Sequence, residues 1–194
     1  MKIRAAAVAA ITLTALIALA GCANTTSNGG MHDDMPGMGA SASAADVNQT
    51  DIQFTMMMIP HHRQAIEMSD VILAKDDIDE QVTALAEQIK AAQGPEIEQM
   101  ESWLDDWGTG MGDMGGMGDG MMSPADMQAL EGANRDEASR LFLEQMIEHH
   151  QGAIEMAQNE VDNGQNADVL ALAQNIITSQ TAEIATMEEI LASL

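Results

Sequence analysis

Four of the five histidines in this chain stand as two adjacent pairs, His61-His62 and His149-His150, each set between methionines. The run Met58-Ile59-Pro60-His61-His62-Arg63-Gln64-Ala65-Ile66-Glu67-Met68 returns as Met146-Ile147-Glu148-His149-His150-Gln151-Gly152-Ala153-Ile154-Glu155-Met156, identical at eight of eleven positions. An imidazole nitrogen and a thioether sulfur share one chemical capacity, donation to a borderline or soft metal ion. The pattern points to metal binding, with copper first among the candidates.

On a helix turning about 100° per residue, Phe54, Met57, Met58, Ala65, Met68 and Ile72 all fall within about 60° of His61, which is therefore central to an interior stripe. His62 falls on the flank of that stripe. The second copy repeats the picture with Phe142, Met146, His149, Ala153 and Met156. Ferritin-like di-iron bundles place a carboxylate three residues before a histidine. Here Met58 stands three before His61, and Met146 three before His149. A thioether in the carboxylate's place moves preference from iron toward copper, and toward Cu(I) over Cu(II).

Met58 also shares a helix face with His62, as Met146 does with His150, and Met68 and Met156 lie one to two turns further on. The candidate ligands are thus His61, His62, Met58 and Met68 with His149, His150, Met146 and Met156. Met57, Met100 and Met187 are secondary candidates. Position 57 differs between the copies, Met57 against Gln145, so the two halves need not bind equally. Glu67 and Glu155 lie about 120° from the stripe. They suit a surface role, or a bond to a histidine from outside the ligand set. Arg63 and Glu67, four apart, could pair. The plainer reading of a single methionine at helical spacing is core filler, and of a single buried histidine a hydrogen-bonded core residue; two copies of the same pair weigh against it.

These residues need helices to position them, and the surrounding sequence supplies four. Apolar residues recur at three- and four-residue spacing from Asp51 onward. The first helix runs from about Thr50 to Ala74. The second starts near Asp77, with Asp77 and Glu80 at capping-box spacing, and runs to about Trp103. The third opens with Ser123 as N-cap and Pro124 as its first residue. It continues to Asn163-Gly164, where glycine suits a left-handed cap. The fourth covers about Ala167 to Ala192. Pro60 and Gly94-Pro95 interrupt the first two helices, and kinks rather than helix ends are expected there.

The repeat takes in whole helix pairs. Gln93, Glu96, Ile97, Met100 and Leu104 match Gln180, Glu183, Ile184, Met187 and Leu191. The fold class is therefore all-α, a ferritin-like four-helix bundle built from a duplicated helical hairpin. Hairpin 1 covers 47–105, a Met/Gly-rich linker 106–123, and hairpin 2 124–194. At about 3.3 Å per residue the linker can span a 25-residue helix of about 37 Å, so a long crossover is allowed.

Met111, Met114, Met117, Met121 and Met122 stand among the linker's Gly and Asp residues, and Met31, His32, Met35 and Met38 in an upstream polar segment. Methionines in unpatterned, glycine-rich sequence are expected outside the core. There they are an oxidation liability and are suited to picking up soft ions; low-complexity drift is the alternative.

The chain opens with Lys2 and Arg4, an apolar run from Ala5 to Ala20, and Leu19-Ala20-Gly21-Cys22. This has the pattern of a lipoprotein signal peptide over 1–21 with lipid on Cys22, followed by a flexible tether over 22–46. The expected localisation is outside the cytoplasm, anchored to the membrane by that lipid. Cys22 is the single cysteine, so neither disulfides nor thiolate ligands are expected. With 31 acidic against 7 basic residues the net charge is −24, which repels nucleic acid and attracts cations.

The doubled M-I-x-H-H-x-x-A-I-E-M string in a four-helix domain, over about residues 47–194, resembles the domain-of-unknown-function family numbered 305. The resemblance implies a ferritin-like fold and, for some members, extracytoplasmic copper binding through the His and Met residues of this motif. The expected function is accordingly a copper-binding lipoprotein that sequesters or hands on copper, with no organic cofactor and no enzymatic activity. Its partners would be metal ions, the membrane through Cys22, and a copper-handling protein; self-association is compatible, nucleic acid is not. Two alternatives stay open: a ferritin-like metal-dependent oxidase, and a structural or partner-binding lipoprotein without metal.

Overall fold

The computed structural model describes residues 46–109 and 120–194, which form five helices: α1 (Gln49–Leu73), α2 (Glu80–Asp106), α3 (Pro124–Gly132), α4 (Arg135–Asn163) and α5 (Ala167–Ser193). The leader with Cys22, the tether with Met31, His32, Met35 and Met38, and the linker methionines Met111, Met114 and Met117 lie outside the described residues. No described helix is long and apolar enough to cross a membrane.

Local chemistry sets most helix ends. Asn48 caps α1 by accepting from the N–H groups of Thr50 and Asp51, while its own N–H donates to the Asp51 carboxylate at 2.6 Å. Ser123 and Asp126 make the same reciprocal box at α3, with Pro124 in the first turn as expected. Asn166 caps α5. At α2 the cap is Asp79 rather than Asp77, and Asp77 instead takes the left-handed conformation (φ 58°) within the turn. Pro60 and Pro95 both sit inside unbroken helices, so neither ends one.

Two other expectations fail. The third helix is not continuous but breaks at Ala133-Asn134 into α3 and α4. The carbonyls freed at the end of α3 are satisfied from outside, because the Lys75 ammonium donates to Glu131 O at 2.7 Å and Ala133 O at 2.9 Å. Gly164 ends α4 in an extended conformation (φ −71°, ψ 169°), not a left-handed one. What requires glycine is space: a Cβ there would lie 2.0 Å from Glu160 Oε1.

α1 packs on α2, α4 on α5, and α1 on α4. The start of α1 meets the end of α4, since Asn48 Nδ2 donates to Asn163 O and Asp51 Oδ1 accepts from the N–H groups of Gln165 and Asn166. The end of α1 lies against the start of the second hairpin through Lys75. α1 and α4 are thus antiparallel, and the chain must return the length of the bundle between α2 and α4. This is the long crossover of the ferritin-like arrangement.

Two apolar cores fill the bundle. One holds Met68, Ile72, Val82, Ile89, Phe142, Met146 and Met187 toward the end of α1; the other holds Phe54, Met58, Ile59, Ile97, Met100, Trp103 and Ile176 toward its start. On α1 and α4 the two histidine pairs lie between the residues of one core and those of the other.

Candidate metal centre

His61 and His149 meet across the α1–α4 seam, with ring centroids 3.7 Å apart and planes tilted by 40°. His62 and His150 are equally buried, although the sequence places them only on the flank of the stripe. The partner helices enclose them. Glu96 of α2 holds His62 Nε2 at 2.7 Å, and Glu183 of α5 holds His150 Nε2 at 2.7 Å. The two contacts are copies of each other under the repeat.

An ionised carboxylate only accepts hydrogen bonds. In a neutral imidazole these contacts therefore place the proton on Nε2 and leave a lone pair on Nδ1. The Nδ1 atoms of His62 and His150 are buried with no hydrogen-bond partner. A carboxylate fixing one imidazole nitrogen while the other is presented as a donor is the usual arrangement of a metal-ligating histidine. Burial, reinforced by the imidazoles of His61, His150 and His62, holds His149 well below the ordinary histidine range against a smaller opposing pull from the His61 backbone. His149 is thus a neutral imidazole at neutral pH.

A model of the family described as domain of unknown function (DUF305) matches residues 51–191. The chain belongs to the DUF305 family. Its solved relatives include a DUF305 fragment from Deinococcus radiodurans, 33% identical with a TM-score of 0.70, covering 76% of this chain and 99% of that one. A DUF305 protein from Streptomyces coelicolor, described as a candidate secreted protein, is 32% identical with a TM-score of 0.70, covering 74% and 93%. CopM in its Cu(I)-bound form is 33% identical with a TM-score of 0.66, covering 75% and 98%. CopM has also been solved in Cu(II)-bound and Ag-bound forms. No curated protein matches the chain by sequence.

In this DUF305 chain the methionines sort differently from the strings that carry them. Met58, Met100 and the half-buried Met156 belong to one core; Met68, Met146, Met187 and Met122 belong to the other. Because α1 and α4 are antiparallel, the start of each string packs with the end of the other. Neither string is a site by itself. Among the described residues, no three His, Cys, Asp or Glu side chains converge where they could hold an ion.

Of the two roles expected for Glu67 and Glu155, their exposure fits the surface one. The groups bound to imidazole are Glu96 and Glu183. Both were visible as repeat-matched positions; what hid their role is that each reaches its histidine from a neighbouring helix. Arg63 pairs with Glu101 of α2, not with Glu67. Met57 is 36% exposed.

Met122, expected in an exposed linker, is buried. Gln64 clasps its backbone on both sides, with Nε2 donating to Met122 O at 2.9 Å and Oε1 accepting from Met122 N at 2.7 Å. Met121 is half-buried. At the position matching Gln64 the second string has Gly152, and a Cβ on Gly120 would lie 2.8 Å from its Cα. The crossover is thus seated on a glutamine of one string and a glycine of the other. Gln93 and Gln180, also repeat-matched, are buried with unpartnered amide atoms.

Proposed function

We propose that this chain is an exported, lipid-anchored copper-binding protein which sequesters or hands on copper, and that it is a binding protein rather than an enzyme. The observation carrying the reading is the pair of buried, unpartnered Nδ1 atoms on His62 and His150, each opposite an Nε2 pinned by a carboxylate. Desolvated imidazole lone pairs, with methionines in the apolar cores on either side, suit Cu(I), which takes few soft ligands. The Cu(I), Cu(II) and Ag forms of CopM support the same class of metal. The lipobox at Cys22 and the Streptomyces coelicolor relative support export.

The ferritin-like oxidase remains a second reading because Glu96 and Glu183 bring carboxylates to the histidines. Both are engaged with imidazole. That reading predicts an iron-loaded protein that consumes oxygen.

The test is the copper content and Cu(I) affinity of the soluble form beginning at residue 23. It is run beside a variant with His61, His62, His149 and His150 changed to Ala and a milder His62→Gln/His150→Gln variant. Tight binding lost in both variants supports the reading. Equal binding in all three moves copper to the Met-rich segments, and no binding in any removes copper.

A further inference from the structure

The α1–α4 face is closed on one side of the histidine layer and grooved on the other. Toward the end of α1 the crossover and α3 cover it, with Met122 and Leu130 buried in the core beneath. Toward the start of α1 lies a cavity of about 210 Å³ lined by Gln53, Phe54, Met57, Glu155, Met156 and Asn159. The repeat makes the contrast sharp. The counterpart of Met57 is Gln145, which is buried and donates to Asp126 O of α3 at 3.1 Å; the counterpart of Met156 is Met68, which is fully buried. At these matched positions the thioethers of Met57 and Met156 reach solvent, while their counterparts are buried or not thioethers.

We propose that the Met57–Met156 groove is the port through which a soft monovalent cation, Cu(I) or Ag(I), passes between solvent and the histidine layer; the proposal rests on the copper reading above. A bare cation cannot cross an apolar interior without ligands, because its desolvation is too costly. Donors must follow one another inward, and here they do. Met57 and Met156 stand at the groove, Met58 is fully buried beside Met57, and His61 follows within a turn of α1. Thioethers suit this task because they bind soft ions and have no proton to lose. The Glu155 carboxylate adds a negative charge at the groove, which draws cations.

The test is the rate at which the protein takes Cu(I) from a coloured Cu(I)–bicinchoninate complex, for wild type and a Met57→Leu variant, with copper bound at equilibrium measured alongside. Met57 is 36% exposed and has Gln145 as its repeat counterpart, so it stands at the port outside the resident ligand set. Leucine keeps the volume and removes the donor. The proposal expects equal copper at equilibrium and uptake slowed by about tenfold. Uptake at the wild-type rate overturns the port and leaves the copper reading standing. A lower copper content makes Met57 a resident ligand and also overturns it. If wild type takes up no copper, the copper reading falls and the port with it.

Discussion

His62 Nε2 lies 2.7 Å from Glu96 Oε2 while Nδ1 of the same ring, also buried, has no hydrogen-bond partner. The carboxylate fixes the tautomer and the ring orientation, so the free lone pair is held in place before any ion arrives. Replacing Glu96 and Glu183 by Gln should keep the shape and lose the ionic acceptor. The expected result is a fall in copper affinity of about 10–100-fold, the usual cost of removing a carboxylate behind a ligating histidine. Competition against a Cu(I) chelator measures it.

Met58→Leu and Met146→Leu test the thioethers. Met-to-Leu exchange in a core usually costs less than about 1.5 kcal/mol, so both variants should fold. Chelator competition should then show weakened Cu(I) binding, and more so in the double variant. Unchanged affinity in the double variant would make both residues core filler.

Gly120 has φ 81°, and a Cβ there would meet Gly152 Cα at 2.8 Å and Glu148 O at 3.0 Å. Gly120→Ala should therefore lift the crossover from α4 and destabilise the fold by about 2 kcal/mol, combining backbone strain with steric overlap. Thermal denaturation checks this. A variant as stable as wild type would mean that the crossover is not seated on Gly152.

Asp51 and Glu160, both fully buried, join the start of α1 to the end of α4. Burial first, and then the hydrogen bond and charge of Asp51, raise Glu160 from its ordinary 4.5 to about 8. Burial also pushes Asp51 upward, but the N–H groups of Asn48, Asn166 and Gln165 and the bond with Glu160 bring it below its ordinary value. The folded state thus holds a proton on Glu160 that the unfolded chain releases. The resulting stability is fully present below about pH 4.5 and is lost as pH rises through about 8. Asp51 acts oppositely, with its contribution lost as pH falls through its lowered value. Melting temperatures should decline from about pH 5 to pH 8, and Glu160→Gln should flatten that decline.

Much of this was readable in the chain because the histidine stripe is a one-dimensional pattern. Helical periodicity alone places His61 and His149 inside, and duplication alone implies paired hairpins. The rest depends on neighbours in space. Whether Met58 packs with Met68 or with Met156 is decided by the antiparallel crossing of α1 and α4, which no string within one helix encodes. Glu96 and Glu183 stood out as matched positions, but their targets lie on other helices. The break after Gly132 did carry local signals, a glycine and then Asn134. Apolar periodicity outweighed them, and Lys75, from α1's end, supplied what the break needed.

The central claim is that buried imidazole nitrogen and thioether sulfur together hold copper. X-ray absorption at the copper edge of the Cu(I)-loaded soluble protein tests it most directly, with the His62→Gln/His150→Gln variant beside it. The account predicts a first shell mixing imidazole nitrogen with sulfur in wild type, and a smaller nitrogen contribution in the copper that the variant still retains. A shell of sulfur alone, the same in both proteins, would contradict it.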